Sequence, residues 1–198
     1  MKVMKAYTFL LGLLFVSSVV VNAQEKAPTP QVEVGFTYGF ARVNPGGNAA
    51  DFTQNGGSGQ VEYNINRVVG LVADLGAYHN GEINGFQVDN TTFTYLFGPR
   101  FNWRMSRFTP YVQTLVGGAR FSASYDPTMA APPVAGHQNG FATAIGGGLD
   151  IALTHSISLK PIQLEYLMTQ VPLPFSQINH TENNLRYSAG VVLRFGSK

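Results

Sequence analysis

From Val32 to Phe40 every second residue is apolar or aromatic: Val32, Val34, Phe36, Tyr38 and Phe40 alternate with Glu33, Gly35, Thr37 and Gly39. A period of two marks a β-strand with two chemically different faces. The division recurs seven times. Val61, Tyr63 and Ile65 oppose Gln60, Glu62 and Asn64, and Val69, Leu71, Ala73, Leu75 and Ala77 oppose Gly70, Asp74 and Gly76. In the fourth run Phe93, Tyr95, Phe97 and Phe101 oppose Thr92, Thr94, Gly98 and Arg100; in the fifth, Thr109 to Phe121, Val112, Thr114 and Val116 flank Gln113. Phe141, Ile145, Leu149 and Ile151 oppose Ala144, Gly146, Gly148 and Asp150. In the seventh, Ile162, Leu164, Tyr166 and Met168 oppose Gln163 and Glu165, while Ile157 and Leu159 fall out of phase, which predicts a bulge near Lys160 and Pro161. The eighth sets Leu185, Tyr187, Ala189, Val191, Leu193 and Phe195 against Arg186, Ser188, Gly190 and Arg194.

The links between these runs alternate in length. Asn66–Arg67, roughly Asn102 to Arg107, and Thr154 to Ser156 are short; Asn44 to Gly57, His79 to Thr91, Ser122 to Gly140 and Thr169 to Asn184 are long and rich in turn residues. Short turns on one side and long loops on the other are the arrangement of an outer-membrane barrel, with the turns and both termini in the periplasm. Pro99, Pro110 and Pro161 then fall at the periplasmic rim, where a missing amide donor is tolerated.

Composition decides between membrane and water. Charged residues are only 12% of the chain, about half the usual share of a soluble domain. Met1 to Ala23 carries Lys2 and Lys5, an apolar run and the small-residue ending Val21-Asn22-Ala23, which predicts a cleaved signal peptide. Residues 24–31 are expected to be a periplasmic tether and 32–198 the barrel domain. Loss of the two signal lysines leaves eleven basic against eleven acidic residues, so no electrostatic footprint for nucleic acid remains. With no cysteine in an exported chain, disulfides and thiolate metal sites are excluded. Beyond the signal, no run approaches the roughly 20 apolar residues of a membrane helix. A membrane-resident chain must then be a closed β-barrel, because hydrocarbon leaves no other way to satisfy the backbone.

The expected architecture is all-β, an eight-stranded antiparallel up-and-down transmembrane barrel. Glu33, Glu62, Asp74, Arg100, Asp150, Glu165, Arg186 and Arg194 all lie on the small-residue face. Turned to lipid, a basic residue near the midplane costs about 2–4 kcal/mol, so this face must look inward and form a polar core. Tyr38, Phe40, Phe93, Phe101 and Phe195 suit interfacial girdles.

Phe97-Gly98-Pro99-Arg100, then Pro110-Tyr111-Val112 and Gly117-Gly118-Ala119, resemble the central hairpin of the eight-stranded outer-membrane barrel family, the OmpA-like transmembrane domain and its opacity-type, porin-like relatives. Gln163-Leu164-Glu165-Tyr166 and the run from Leu185 to Phe195 resemble their last two strands, and the similarity spans Gln31 to Gly196. The resemblance implies residence in the outer membrane of a Gram-negative bacterium, contact with its lipid, and assembly by the machinery that reads a closing strand with an aromatic end. Here Phe195 is followed by Gly196-Ser197-Lys198, a departure from that ending. The peptidoglycan-binding domain that follows the OmpA barrel is not expected here.

No cofactor, metal or catalytic residue is predicted. His79, His137 and His180 fall in long loops and His155 in a short turn, without ligand spacing. His155-Ser156 lies on the wrong side for outer-leaflet lipid chemistry, and Gly146-Gly147-Gly148 lacks the Gly-Lys-Ser/Thr ending of a phosphate loop. The leading expectation is a structural or surface-interaction barrel, with any surface partner met by loop segments such as Gly46-Gly47-Asn48, Asn55-Gly56-Gly57 and Pro127 to Gly136. A small-solute porin is the alternative; a lipid-modifying enzyme and a soluble ligand-binding barrel rank below it.

Overall fold

The computed structural model describes residues 29–44, 51–80, 88–125, 134–172 and 179–196. The predicted signal peptide, tether residues 24–28 and the central parts of the four long links lie outside the described residues. The strands are β1 (Val32–Val43), β2 (Phe52–Asn64), β3 (Val69–Asn80), β4 (Val88–Asn102), β5 (Phe108–Tyr125), β6 (Val134–Ala152), β7 (Ile157–Pro172) and β8 (Asn179–Phe195). Each pairs antiparallel with its sequence neighbours, and β8 returns to β1, closing the barrel. Closure removes the sheet edge, whose unpaired amides would each cost several kcal/mol in hydrocarbon.

Local chemistry sets the short turns. Asn66 Oδ1 accepts from the amides of Val68 and Val69, both at 2.8 Å, and Thr154 Oγ1 accepts from Ile157 N at 3.0 Å. These side chains substitute for backbone acceptors where the chain reverses. The Ile65–Val68, 103–107 and Leu153–Ser156 connections share one end of the barrel, the turn end, with Gln31 and Gly196. The four long links share the other, the loop end.

The predicted bulge is present. The β7–β8 register shifts between Lys160 and Gln163, so Ile157 and Leu159 face outward like Ile162 and Leu164 despite their opposite parity. Pro161 lies in this irregularity, where no regular ladder bond is lost.

The long links are shorter than expected, and this corrects the sequence reading. Asn55-Gly56-Gly57 belongs to β2, β5 continues to Tyr125, β6 starts at Val134, β7 runs to Pro172 and β8 starts at Asn179. His79, His137 and His180 therefore stand in strands rather than loops. At these levels the outward positions turn polar, as at Thr53, Asn55 and His79, so apolar alternation fades while the backbone ladder continues.

Facing is unambiguous. Phe36 is 54%, Leu71 52% and Val191 42% exposed, whereas Asp74 and Arg186 are wholly buried. The outward belt is apolar, with Phe101, Trp103, Phe108 and Phe195 toward the turn end and Tyr38, Phe40, Phe93 and Phe141 toward the loop end. Phe97 lies midway along this belt, and exposed His79 at its loop-end margin. Phe97→Arg is expected to destabilise the bilayer-inserted barrel by about 2–4 kcal/mol, and His79→Arg by only about 0–1 kcal/mol. Reversible denaturant unfolding in lipid vesicles measures both, and equal costs would contradict the proposed belt.

Candidate functional site

The inward face concentrates the chain's ionised chemistry. Glu33, Glu62, Asp74, Arg100, Asp150, Glu165 and Arg186 are buried inside the barrel, and Arg194 is half-buried at the turn end.

Six of the inward side chains close a ring across the lumen. Arg100 on β4 donates through Nε to Gln113 Oε1 at 2.8 Å, and Gln113 on β5 donates to Glu165 Oε1 at 2.6 Å. Glu165 on β7 accepts from Arg186 Nε at 2.7 Å, and Arg186 on β8 reaches Asp74 Oδ1 at 3.1 Å. Asp74 on β3 accepts from Gln60 Nε2 at 2.7 Å, and Gln60 on β2 accepts from Arg100 Nη2 at 2.8 Å. Six strands are thus joined through side chains as well as through the ladder.

Two groups hang from this ring. Glu62 receives Arg100 Nη1 at 2.8 Å and Asn102 Nδ2 at 2.6 Å. Gln163 bonds Glu165 and accepts from Tyr111 OH at 2.9 Å; Tyr111 OH in turn accepts from Lys160 Nζ at 2.8 Å. Lys160 Nζ lies 3.6 Å from Asp150. The Tyr111 ring also lies 4.1 Å from the Arg100 guanidinium carbon and 4.4 Å from Lys160 Nζ, an arrangement in which the π-face attracts both cations.

A separate cluster sits at the turn end. Glu33 Oε1 receives Arg104 Nη2 at 2.5 Å and Asn64 Nδ2 at 2.9 Å, and Oε2 receives Arg194 Nε at 3.3 Å. Arg104 and Lys160 were not among the predicted interior charges. Arg104 follows β4 in a connection, beyond the reach of alternation, and Lys160 precedes the bulge that resets the phase. With them the ring, its attached groups and the turn-end cluster hold, among the described residues, five carboxylates and five cations instead of five and three. Tyr111 was legible as an inward residue, since it stands two positions from Gln113.

Small residues make room for the large ones. A Cβ on Gly76 would stand 2.6 Å from Thr94 Oγ1 and 3.3 Å from Arg186 Nη1. One inward step loopward of Gln113, Gly146 and Glu165, the lining becomes Leu115, Ala144 and Leu167, which pack with Val72, Leu96, Ala119 and Ala142. The interior is therefore part ionic and part apolar. Among the described residues, no cluster of three or more His, Asp or Glu could hold a metal ion.

Arg186 serves two carboxylates, and its loss would leave both without their guanidinium. Arg186→Met is expected to cost about 3–5 kcal/mol, the range for an orphaned buried charge. Adding Asp74→Asn and Glu165→Gln removes those charges and should restore part of the loss. Denaturant unfolding in vesicles checks this; a triple variant less stable than the single one would count against the electrostatic account.

No curated protein sequence matches the chain. Among solved structures, neisserial surface protein A superposes with a TM-score of 0.63 at 14% identity, over 83% of this chain and 97% of that one. Ail, the attachment invasion locus protein of Yersinia pestis, gives 0.58 at 17% identity, over 82% and 99%. Ail in complex with the heparin analogue sucrose octasulfate gives 0.56 at 17%, with the same coverage. At such identities these similarities establish the fold alone. The family model for the outer membrane protein beta-barrel domain matches residues 11–196. Because that match runs across all eight strands, the chain belongs to the outer membrane protein beta-barrel domain family.

Proposed function

We propose that this chain is a sealed, non-enzymatic outer-membrane barrel whose role is structural and surface-interacting. The observation that carries the reading is the closed ring Arg100–Gln113–Glu165–Arg186–Asp74–Gln60 across the lumen. A porin needs a continuous water path, and an eight-stranded barrel is only just wide enough for its own side chains. The apolar patch of Leu96, Leu115 and Leu167 adds a second obstacle to ions, since hydrophobic constrictions shed water.

With the lumen filled, recognition falls to the ends. The strands continue beyond the apolar belt at the loop end and present outward polar groups on a stiff ladder. Exposed Arg42 and Asp51 there form a 3.1 Å ion pair, worth little in energy. Ail has been crystallised with a heparin analogue, which makes the scaffold compatible with a surface ligand. In the same reading the signal peptide is removed after Ala23, both termini face the periplasm, and the assembly machinery reads the strand ending at Phe195.

Intact cells test orientation. Protease is expected to cut within the link between β5 and β6, residues 126–133, and to spare Asn66–Arg67; the reverse pattern overturns the assignment. Purified protein in planar bilayers is expected to give no discrete channels. Reproducible unitary conductance would replace this reading with a porin, and an altered lipid acyl pattern on expression would replace it with an enzyme.

A further inference from the structure

The pairing that fills the lumen reaches its turn-end mouth through Glu33 but leaves cations in excess there among the described residues. There an open cleft of about 570 Å³ is bounded by Arg107, His155, Ser156, Arg194 and the neighbouring backbone. A recess of about 30 Å³ shares Ser106, Arg107 and Arg194 with it and reaches Arg104. The larger volume is within the roughly 300–1,000 Å³ typical of small-ligand sites.

Its charge is one-sided. Among the described residues Arg104, Arg107 and Arg194 meet a single carboxylate, Glu33, already shared by Arg104, Arg194 and Asn64. Glu62 and Asp150, the next acids inward, face Arg100 and Lys160. Arg107 is exposed and makes no ion pair among the described residues. Arg104 Nε is buried with no hydrogen-bond partner among the described residues, an unmade bond that ordinarily carries a penalty. Arg67 Nη2 holds the Arg104 carbonyl at 2.8 Å, fixing this segment against the neighbouring turn.

We propose that this cleft binds a phosphate-bearing ligand. Guanidinium forks match phosphate oxygens in pairs, and the hydroxyls of Ser106 and Ser156 stand at the same mouth. A phosphate offers more acceptor oxygens than a carboxylate, enough for Arg107 and Arg194, which both line the cleft, while the buried Arg104 Nε stands at the adjoining recess. Exposed Leu153 borders the cleft, so the phosphate can come from a soluble ester or from an anionic phospholipid headgroup. The site depends on neither the sealed lumen nor a surface partner.

The test uses isotope-labelled full-length protein in phosphatidylcholine nanodiscs, titrated with inorganic phosphate against sodium chloride of equal ionic strength. Amide NMR signals of Arg107, His155 and Ser156 are expected to move saturably. Arg107→Gln should weaken the apparent affinity about tenfold or more, whereas Arg120→Gln, an exposed arginine nearer the loop end, should leave it unchanged. If phosphate is silent but nanodiscs containing phosphatidylglycerol move the same signals in the parent and not in Arg107→Gln, the ligand is a lipid headgroup. Silence in both arms, or equal responses in Arg107→Gln, overturns the proposal.

Discussion

A sheet closed in hydrocarbon turns one face of every strand into a space scarcely wider than its own side chains, and each ionised group placed there loses its water. The effective penalty is several kcal/mol per ion, so a few unpaired charges would exhaust the stability of a typical domain. The interior meets that condition by proximity. Each fully buried carboxylate among the described residues has a cation within 3.6 Å: Glu33 with Arg104 and Arg194, Glu62 with Arg100, Asp74 and Glu165 with Arg186, and Asp150 with Lys160. Glutamine and asparagine amides then occupy lone pairs that the cations leave over, as Gln113 and Gln163 do at Glu165.

The ring also ties closure to register. Arg186 and Asp74 are 112 positions apart in the chain yet bonded across the lumen, so their contact exists only once β8 has met β1. A one-residue slip of β8 would turn Arg186 to the lipid side and Tyr187 inward, because side chains alternate with a period of two. The ion pairs and the apolar belt therefore reject the same misregistered states. Glycine at Gly76 belongs to this arrangement: the buried guanidinium of Arg186 occupies space that a larger neighbour would claim.

The fold was legible wherever a strand is in contact with both environments, since each environment selects one parity. That is why the eight runs and the Lys160–Pro161 bulge could be read from residue order alone. Legibility failed in three places for three reasons. At the loop end the outward residues become polar, so Phe52–Gly57 looked like a loop although the ladder persists. Arg104 enters the lumen from a connection, where parity has no meaning. The inward leucines Leu96, Leu115 and Leu167 break the expected polar lining, because burial against other side chains accepts either chemistry when no charge needs a partner. Which inward residues touch one another was not legible at all; it depends on strand stagger, which alternation does not encode.

With the buried carboxylates paired, exposed charges among the described residues stand toward the barrel's two rims, and these rims differ. At the loop end exposed Arg42 and Asp51 pair with each other, and a stiff ladder presents outward polar groups beside them. At the turn end, Arg104, Arg107 and Arg194 outnumber Glu33 beside a cleft. Salt separates the two regimes from the lumen, because screening acts on solvent-exposed charges and scarcely on buried pairs. Ionic strength can thus modulate what the rims bind while the ring that holds the barrel shut is left intact. Of these three turn-end arginines, Arg107 alone lies outside the interior pairs, since Arg104 and Arg194 are held by Glu33, so its charge can be engaged without drawing on the pairs that keep the strands in register.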